Sequence, residues 1–164
     1  MIEFKWIDNE DPIKLAEFFK NNVNQKYISH GEIIDGRAIT FTEWKDDLVK
    51  VMTNEFKDIL DNSNEETYSQ ICVCNIDKKL IGLCLIQFKN NTKVAILEDI
   101  IIDNEFRKNN IGSMFLKWIE EEIILKEMSF IILESGINNK GAHDFFSKNG
   151  YEQSSIVMIK KLKN

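Results

Sequence analysis

Arg107, Asn110, Gly112 and Ser113 stand at short offsets where an apolar run, Ile100-Ile101-Ile102, gives way to a polar loop and then to an amphipathic stretch. A strand that feeds a Gly/Asn loop at the start of a helix is an anion-binding device. The first backbone N–H groups of the helix have no partner inside it, and the helix dipole adds partial positive charge there. A pyrophosphate suits such a site, so the loop points to a phosphate-bearing cofactor.

The rest of the chain frames that device. A length of 164 residues is that of one domain, 1–164, with enough chain to bury a real core. Hydrophobic residues make up 43% and charged residues 29%, the balance of a soluble globular protein. The net charge of −6 disfavours nucleic acid as a partner and suits a small cationic substrate. The N-terminus lacks the apolar core of a signal peptide, and no apolar run is long enough to span a membrane. The expectation is a cytoplasmic protein with no membrane partner. Cys72, Cys74 and Cys84 are odd in number and lack paired metal-ligand spacing, so they read as core residues, with no disulfide framework and no metal site.

The elements that must position the loop follow from periodicity. Ile2–Ile7 reads as a first strand, and Asp11-Pro12 as the cap and first turn of a helix burying Leu15, Phe18, Phe19 and Val23. Residues 24–39 read as loop with short structured pieces. A second helix is expected from about Thr40, on capping-box spacing of Thr40 and Glu43 and on Phe41, Trp44, Leu48, Val51, Met52, Phe56 and Ile59. Ser69–Ile76, Leu80–Phe88 and Val94–Ile102 form an antiparallel meander, the second to fourth strands. Gly112–Lys126 is a helix. Phe130–Leu133 is a short, all-apolar fifth strand, as a buried parallel neighbour would be. Lys140–Lys148 is a helix ended by Asn149-Gly150, and Tyr151–Leu162 a last strand.

This arrangement resembles the GNAT superfamily of N-acetyltransferases, over roughly Ser69 to Tyr151. The family signature Q/R-x-x-G-x-G/A reads here Arg107-Lys108-Asn109-Asn110-Ile111-Gly112, with Asn110 in place of the first glycine. Asn is the non-glycine residue that most readily takes positive φ, so the loop keeps its shape. A second signature, N-x-x-A-x-x-F-Y-x-x-x-G-F, is matched by Asn139, Ala142, Phe145, Gly150 and Tyr151, with Phe146 where the family often has tyrosine. The resemblance implies an α/β (α+β) fold with a mixed central sheet of about six to seven strands, splayed between strands four and five and flanked by about four helices.

It also implies a cofactor, acetyl-CoA, used as co-substrate. The main chain of Arg107, Lys108, Asn109, Asn110, Ile111 and Gly112, with the Ser113 hydroxyl, would hold the pyrophosphate. The backbone of Ile100, Ile101 and Ile102 would line the pantetheine arm, and Asn139 would meet it from the opposite side or cap its own helix. Glu98, two residues before Ile100 and on the same face by strand alternation, is the candidate base for an amine, with Asp99 on the other face. Phe146 has no proton to give to a departing thiolate. Tyr27, His30 and Glu32 are the candidate acceptor-binding residues, with Asp35, Arg37 and Trp44 nearby. Direct attack by a small-molecule or peptide amine in a ternary complex is the expected reaction, and pairing through the C-terminal strands would give a homodimer. The alternative is an acyl-CoA-binding sensor without turnover.

Overall fold

A computed structural model describes residues 1–61 and 66–162. The strands are β1 (Ile2–Ile7), β2 (Ala38–Thr40), β3 (Glu43–Trp44), β4 (Thr67–Ile76), β5 (Lys79–Lys89), β6 (Val94–Ile102) and β7 (Phe130–Leu133). The helices are α1 (Pro12–Asn22), α2 (His30–Ile34), α3 (Leu48–Asp61), α4 (Ile111–Leu125) and α5 (Lys140–Lys148). Short 3-10 turns cover Gln25–Tyr27 and Asn104–Phe106.

Local chemistry accounts for most boundaries. Asp11 caps α1 by accepting from the Ile13 N–H at 3.0 Å, and Pro12 occupies the first turn where its missing N–H costs nothing. Asp77 and Lys78 both take positive φ, the geometry that closes a two-residue hairpin between β4 and β5 without splaying the strands.

The central sheet runs β1-β4-β5-β6-β7. The first four are antiparallel neighbours, and β6 pairs with β7 in parallel. One face carries α4 and α5 over Cys72, Cys74, Cys84, Ile86 and Phe88, with Phe115 and Ile119 of α4 fully buried there. The other face carries α1 and α3, whose Leu15, Phe19, Leu48, Met52 and Phe56 cover Ile71, Val73, Leu83 and Leu85. All three cysteines are free and buried, as their positions predict.

Pairing between β6 and β7 covers Val94–Leu97 against Phe130–Leu133 and stops there, although β6 continues to Ile102. The backbone of residues 98–102 is therefore left without a strand on that side. This is the splay expected between the fourth and fifth strands of the sheet.

Three expectations are corrected. The second helix does not begin at Thr40. Residues 38–44 form the β2–β3 hairpin, the Thr40 hydroxyl oxygen accepts from the Thr42 N–H at 3.3 Å, and α3 starts at Leu48. The local Thr turn competes with the capping box, since short polar side chains bond nearby backbone in non-helical conformations as well. Residues 151–162 form no strand. Ile156, Met158 and Leu162 are more than 80% exposed, because no neighbouring strand there offers a ladder. The central sheet accordingly has five strands rather than six or seven, with β2 and β3 as a separate ribbon.

Candidate active site

The site begins where β6 ends. Arg107 anchors the loop: its Nε donates to the Ile102 carbonyl at 2.9 Å and a terminal nitrogen donates to the Asn22 carbonyl at 2.6 Å. Its guanidinium is thus spent on holding the loop against β6 and the end of α1. Lys108 and Asn110 take φ of 65° and 63°, so the asparagine adopts the left-handed conformation that its type permits. Asn110 sits at the N-cap of α4 with no side-chain cap bond, and the first helical bond runs from the Met114 N–H to the Asn110 carbonyl. The N–H groups of Ile111, Gly112 and Ser113 precede it and point out of the helix end. Lys108 and Asn109 are exposed beside them.

Gly112 is where α4 passes close to α5. A Cβ there would lie 3.4 Å from the Phe145 ring. The Ser113 hydroxyl is within 3.4 Å of the Asn149 amide nitrogen, which donates to it. Asn139 begins α5 across the gap, yet its side chain makes no cap bond. The cap role open to Asn139 is thus not taken. An uncapped helix start, a left-handed residue that turns the loop, and a stretch at residues 98–102 that β7 does not pair together fit a phosphate-bearing cofactor with an extended arm.

Glu98 and Asp99 lie at a β-bulge. The register with β5 steps from Leu85 opposite Asp99 to Ile86 opposite Leu97, which leaves Glu98 as the extra residue. The bulge overturns the simple alternation. Ile100 and Ile102 pack on the α4 face, whereas Glu98 and Asp99 both turn toward α3. Glu98 faces a cleft of about 550 Å³ lined also by Asp35, Glu55, Asp58, Tyr68 and Gln87. Its carboxylate has no hydrogen bond or ion pair among the described residues. Burial, then the charge of Asp99, lifts the Glu98 carboxyl to about 7, against an ordinary value near 4.5.

Behind the cleft lies a buried ion network. Arg37, 2% exposed, contacts both Asp99 carboxylate oxygens at 3.0 and 3.2 Å. It also donates from Nε to Glu55 at 3.0 Å and from a terminal nitrogen to the other Glu55 oxygen. The Tyr27 hydroxyl donates to Asp99 at 2.7 Å, and burial pushes that phenol well above its ordinary range. Glu32 closes a capping box with Ser29 at the start of α2 and lies 3.9 Å from Arg37. His30 Nδ1 is 2.7 Å from Glu134, which also accepts from the Ser29 hydroxyl and the Gly31 N–H. Tyr27 and His30 therefore tie residues 25–34 to β6 and to Glu134 just after β7, and none of Tyr27, His30 and Glu32 lines the Glu98 cleft.

Residue 146 offers no hydroxyl: Phe146 is buried between Phe145 and Tyr151. The Tyr151 hydroxyl donates to Glu120 on α4 at 3.0 Å, and burial raises it above its ordinary range. Sequence reasoning missed Glu55 and Asp58, because on α3 they read as an ordinary solvated helix face. The one signal for the bulge was two consecutive acids, Glu98-Asp99, inside an otherwise apolar strand. No group of three or more His, Cys, Asp or Glu with metal-binding arrangement occurs among the described residues, and none of the described helices is long and apolar enough to cross a membrane.

Fold and site together define an α/β domain whose helix start suits a phosphate-bearing ligand, and comparison with known proteins specifies it further. Residues 36–151 match the model of the acetyltransferase (GNAT) family, and the chain belongs to that family. It is 27% identical over 100 residues to an uncharacterized N-acetyltransferase of Methanocaldococcus jannaschii, covering 55% of this chain and 44% of that protein. It is 29% identical over 69 residues to an aminoalkylphosphonate N-acetyltransferase of Salmonella typhimurium, covering 42% of this chain and 45% of that protein. The alignments thus span less than half the length of these curated relatives. Among solved structures, a PaiA N-acetyltransferase from Thermoplasma acidophilum in complex with coenzyme A superposes with a TM-score of 0.71, at 19% identity, over 96% of this chain and 93% of that one.

Proposed function

We propose that the protein is an acetyl-CoA-dependent N-acetyltransferase acting on a primary amine of a small cationic molecule or peptide, both substrates being bound together. The observation that carries this reading is Glu98: an unpaired, half-buried carboxylate at the bulge where β6 leaves β7, facing a cleft with three further acidic residues. When bound, acetyl-CoA supplies the acetyl group in activated thioester form. The N–H groups at the start of α4 and the Ser113 hydroxyl would hold its pyrophosphate. The main chain of Ile100, Ile101 and Ile102 and the Asn139 amide would hold its arm.

The chain's own acid–base work falls to Glu98. An alkylammonium ion cannot act as a nucleophile until it loses a proton. A carboxyl raised to about 7 accepts that proton far better than an ordinary surface glutamate. Asp35 and Asp58, with Glu98 itself, favour a cation in the cleft. The charge of the cleft sets it apart from what a phosphonate group would prefer, so the acceptor class of the Salmonella relative is not carried over.

Release of CoA from acetyl-CoA, followed with spermidine, an aminoglycoside, a lysine-bearing peptide and an aminoalkylphosphonate, tests the reading. Turnover of a cationic acceptor, falling about 10²–10⁴-fold in Glu98→Gln, is the expected result. CoA binding without release for any acceptor would instead mark a binding module.

A further inference from the structure

Arg37 is buried and bonded to acids on two elements, and the acetyl-transfer reading leaves it without a task. Its backbone is pinned on both sides: its N–H donates to the Glu32 carbonyl at 2.8 Å and its carbonyl accepts from the Lys45 N–H at 3.1 Å. The guanidinium lies 5.6 Å from the Phe19 ring centre on α1. It forks between Glu55 on α3 and Asp99 on β6, with Glu32 of α2 beyond. One side chain thereby joins α1, α2, α3 and β6. The β6 contact falls on Asp99, the residue beside the extra residue of the bulge.

The same charge acts on Glu98. The groups facing that carboxylate are Asp99 on β6, Glu55 and Asp58 on α3, Asp35 at the end of α2, Tyr68 on β4 and Gln87 on β5. Arg37 is the cation named among the largest influences on it. Asp99, Glu55 and Asp35 favour the protonated carboxyl, while Arg37 favours the carboxylate. A buried arginine held bidentately by Glu55 and through its remaining terminal nitrogen by Asp99 is also stiff, since the planar guanidinium leaves it little freedom.

We propose that Arg37 is the positioning residue of this site: clamped between Asp99 and Glu55, it fixes the β6 bulge that presents Glu98 and supplies the positive charge that keeps Glu98 able to accept a proton. The proposal rests on Glu98 being the base. Its consequence is an opposition of signs. Arg37→Gln and Glu55→Gln break the same ion pair, so a purely structural role moves both variants alike. A charge-setting role raises the Glu98 midpoint in Arg37→Gln and lowers it in Glu55→Gln.

The test is a pH titration of Glu98 by ¹³C NMR on protein labelled at the glutamate side-chain carboxyl, with the signal assigned by its loss in Glu98→Gln. It needs no acceptor. The midpoint is expected near 7 in the wild type. It should rise by about one pH unit in Arg37→Gln and fall by about as much in Glu55→Gln. Arg37→Lys, which keeps the charge but loses the fork, should hold the midpoint within a few tenths of a unit and lose melting temperature. If Arg37→Gln does not fold, Glu55→Gln and Arg37→Lys still decide: an unmoved midpoint in the first, or a lysine variant shifted upward by a full unit, overturns the proposal. Midpoints that move in the same direction in Arg37→Gln and Glu55→Gln overturn it too. Failure of the base reading looks different, since Glu98→Gln would then keep its kcat whatever the titrations give.

Discussion

The two halves of the site are built from different material. The cradle at the start of α4 is made of backbone: three outward N–H groups, a left-handed asparagine and a strand edge that lost its neighbour. The cleft at Glu98 is made of side chains from β4, β5, β6, α3 and the end of α2. A backbone site tolerates many sequences provided its turns are possible, and it is assembled within one short segment. A side-chain site has a chemistry set by each residue, and it exists only when distant segments meet.

Glu98→Gln separates the halves most sharply. Beyond the loss of turnover given above, CoA binding should stay within about twofold of wild type, as measured by calorimetry. Stability should rise. The carboxyl titrates near 7 in the folded protein and near 4.5 ordinarily, so between those values the folded state binds more protons and stability falls as pH increases. Removing the carboxyl relieves that penalty by about 2 kcal/mol at pH 8 and by much less at pH 5, once partial exposure is allowed for. Denaturation at the two pH values checks it; equal gains at both would reassign the effect to packing.

Gly112→Asp should act on the cradle alone. CoA at a hundredfold excess over its Kd stabilises the wild type by about 2.7 kcal/mol, or roughly 5–10 °C in melting temperature. The aspartate should abolish that rise by charge repulsion. Gly112→Ala is the steric control. Its Cβ would meet the Phe145 ring at 3.4 Å, a contact that calls for only a small shift, and most of the rise should survive.

Smaller effects probe single atoms of the cradle. Asn110→Gly should keep the loop, and Asn110→Val should cost about 1–2 kcal/mol of stability, because a β-branched residue resists the φ of 63° seen here. Chemical denaturation of both distinguishes them. Asn139→Ala should melt within about a degree of wild type, since no side-chain cap is lost where a real cap would cost about 1 kcal/mol. Its CoA affinity should fall severalfold in a titration.

The legible parts of this fold were those set by local rules. Strand β6 and helix α5 fall where hydrophobic pattern, turn residues and the Asn149-Gly150 stop put them, and Asp11-Pro12 marks the start of α1 to the residue. The illegible parts involve competition between distant partners. Thr40 satisfied a helix-capping pattern and a hairpin turn equally well, and pairing of β2 with β3 decided. Residues 151–162 have the apolar content of a strand but no ladder to join.

What the sequence determined by itself was the loop and helix start at α4: a glycine, an asparagine able to turn left-handed and the start of an amphipathic helix lie within a few residues, where chain connectivity imposes the geometry. What only tertiary structure decided was the surroundings of Glu98. The bulge at Glu98 reverses the face that alternation assigns it, and the proton affinity of its carboxyl depends on Asp99, Glu55 and Arg37, brought together across 62 residues of chain between Arg37 and Asp99. Burial and charge act through space, and no spacing rule along the chain encodes them.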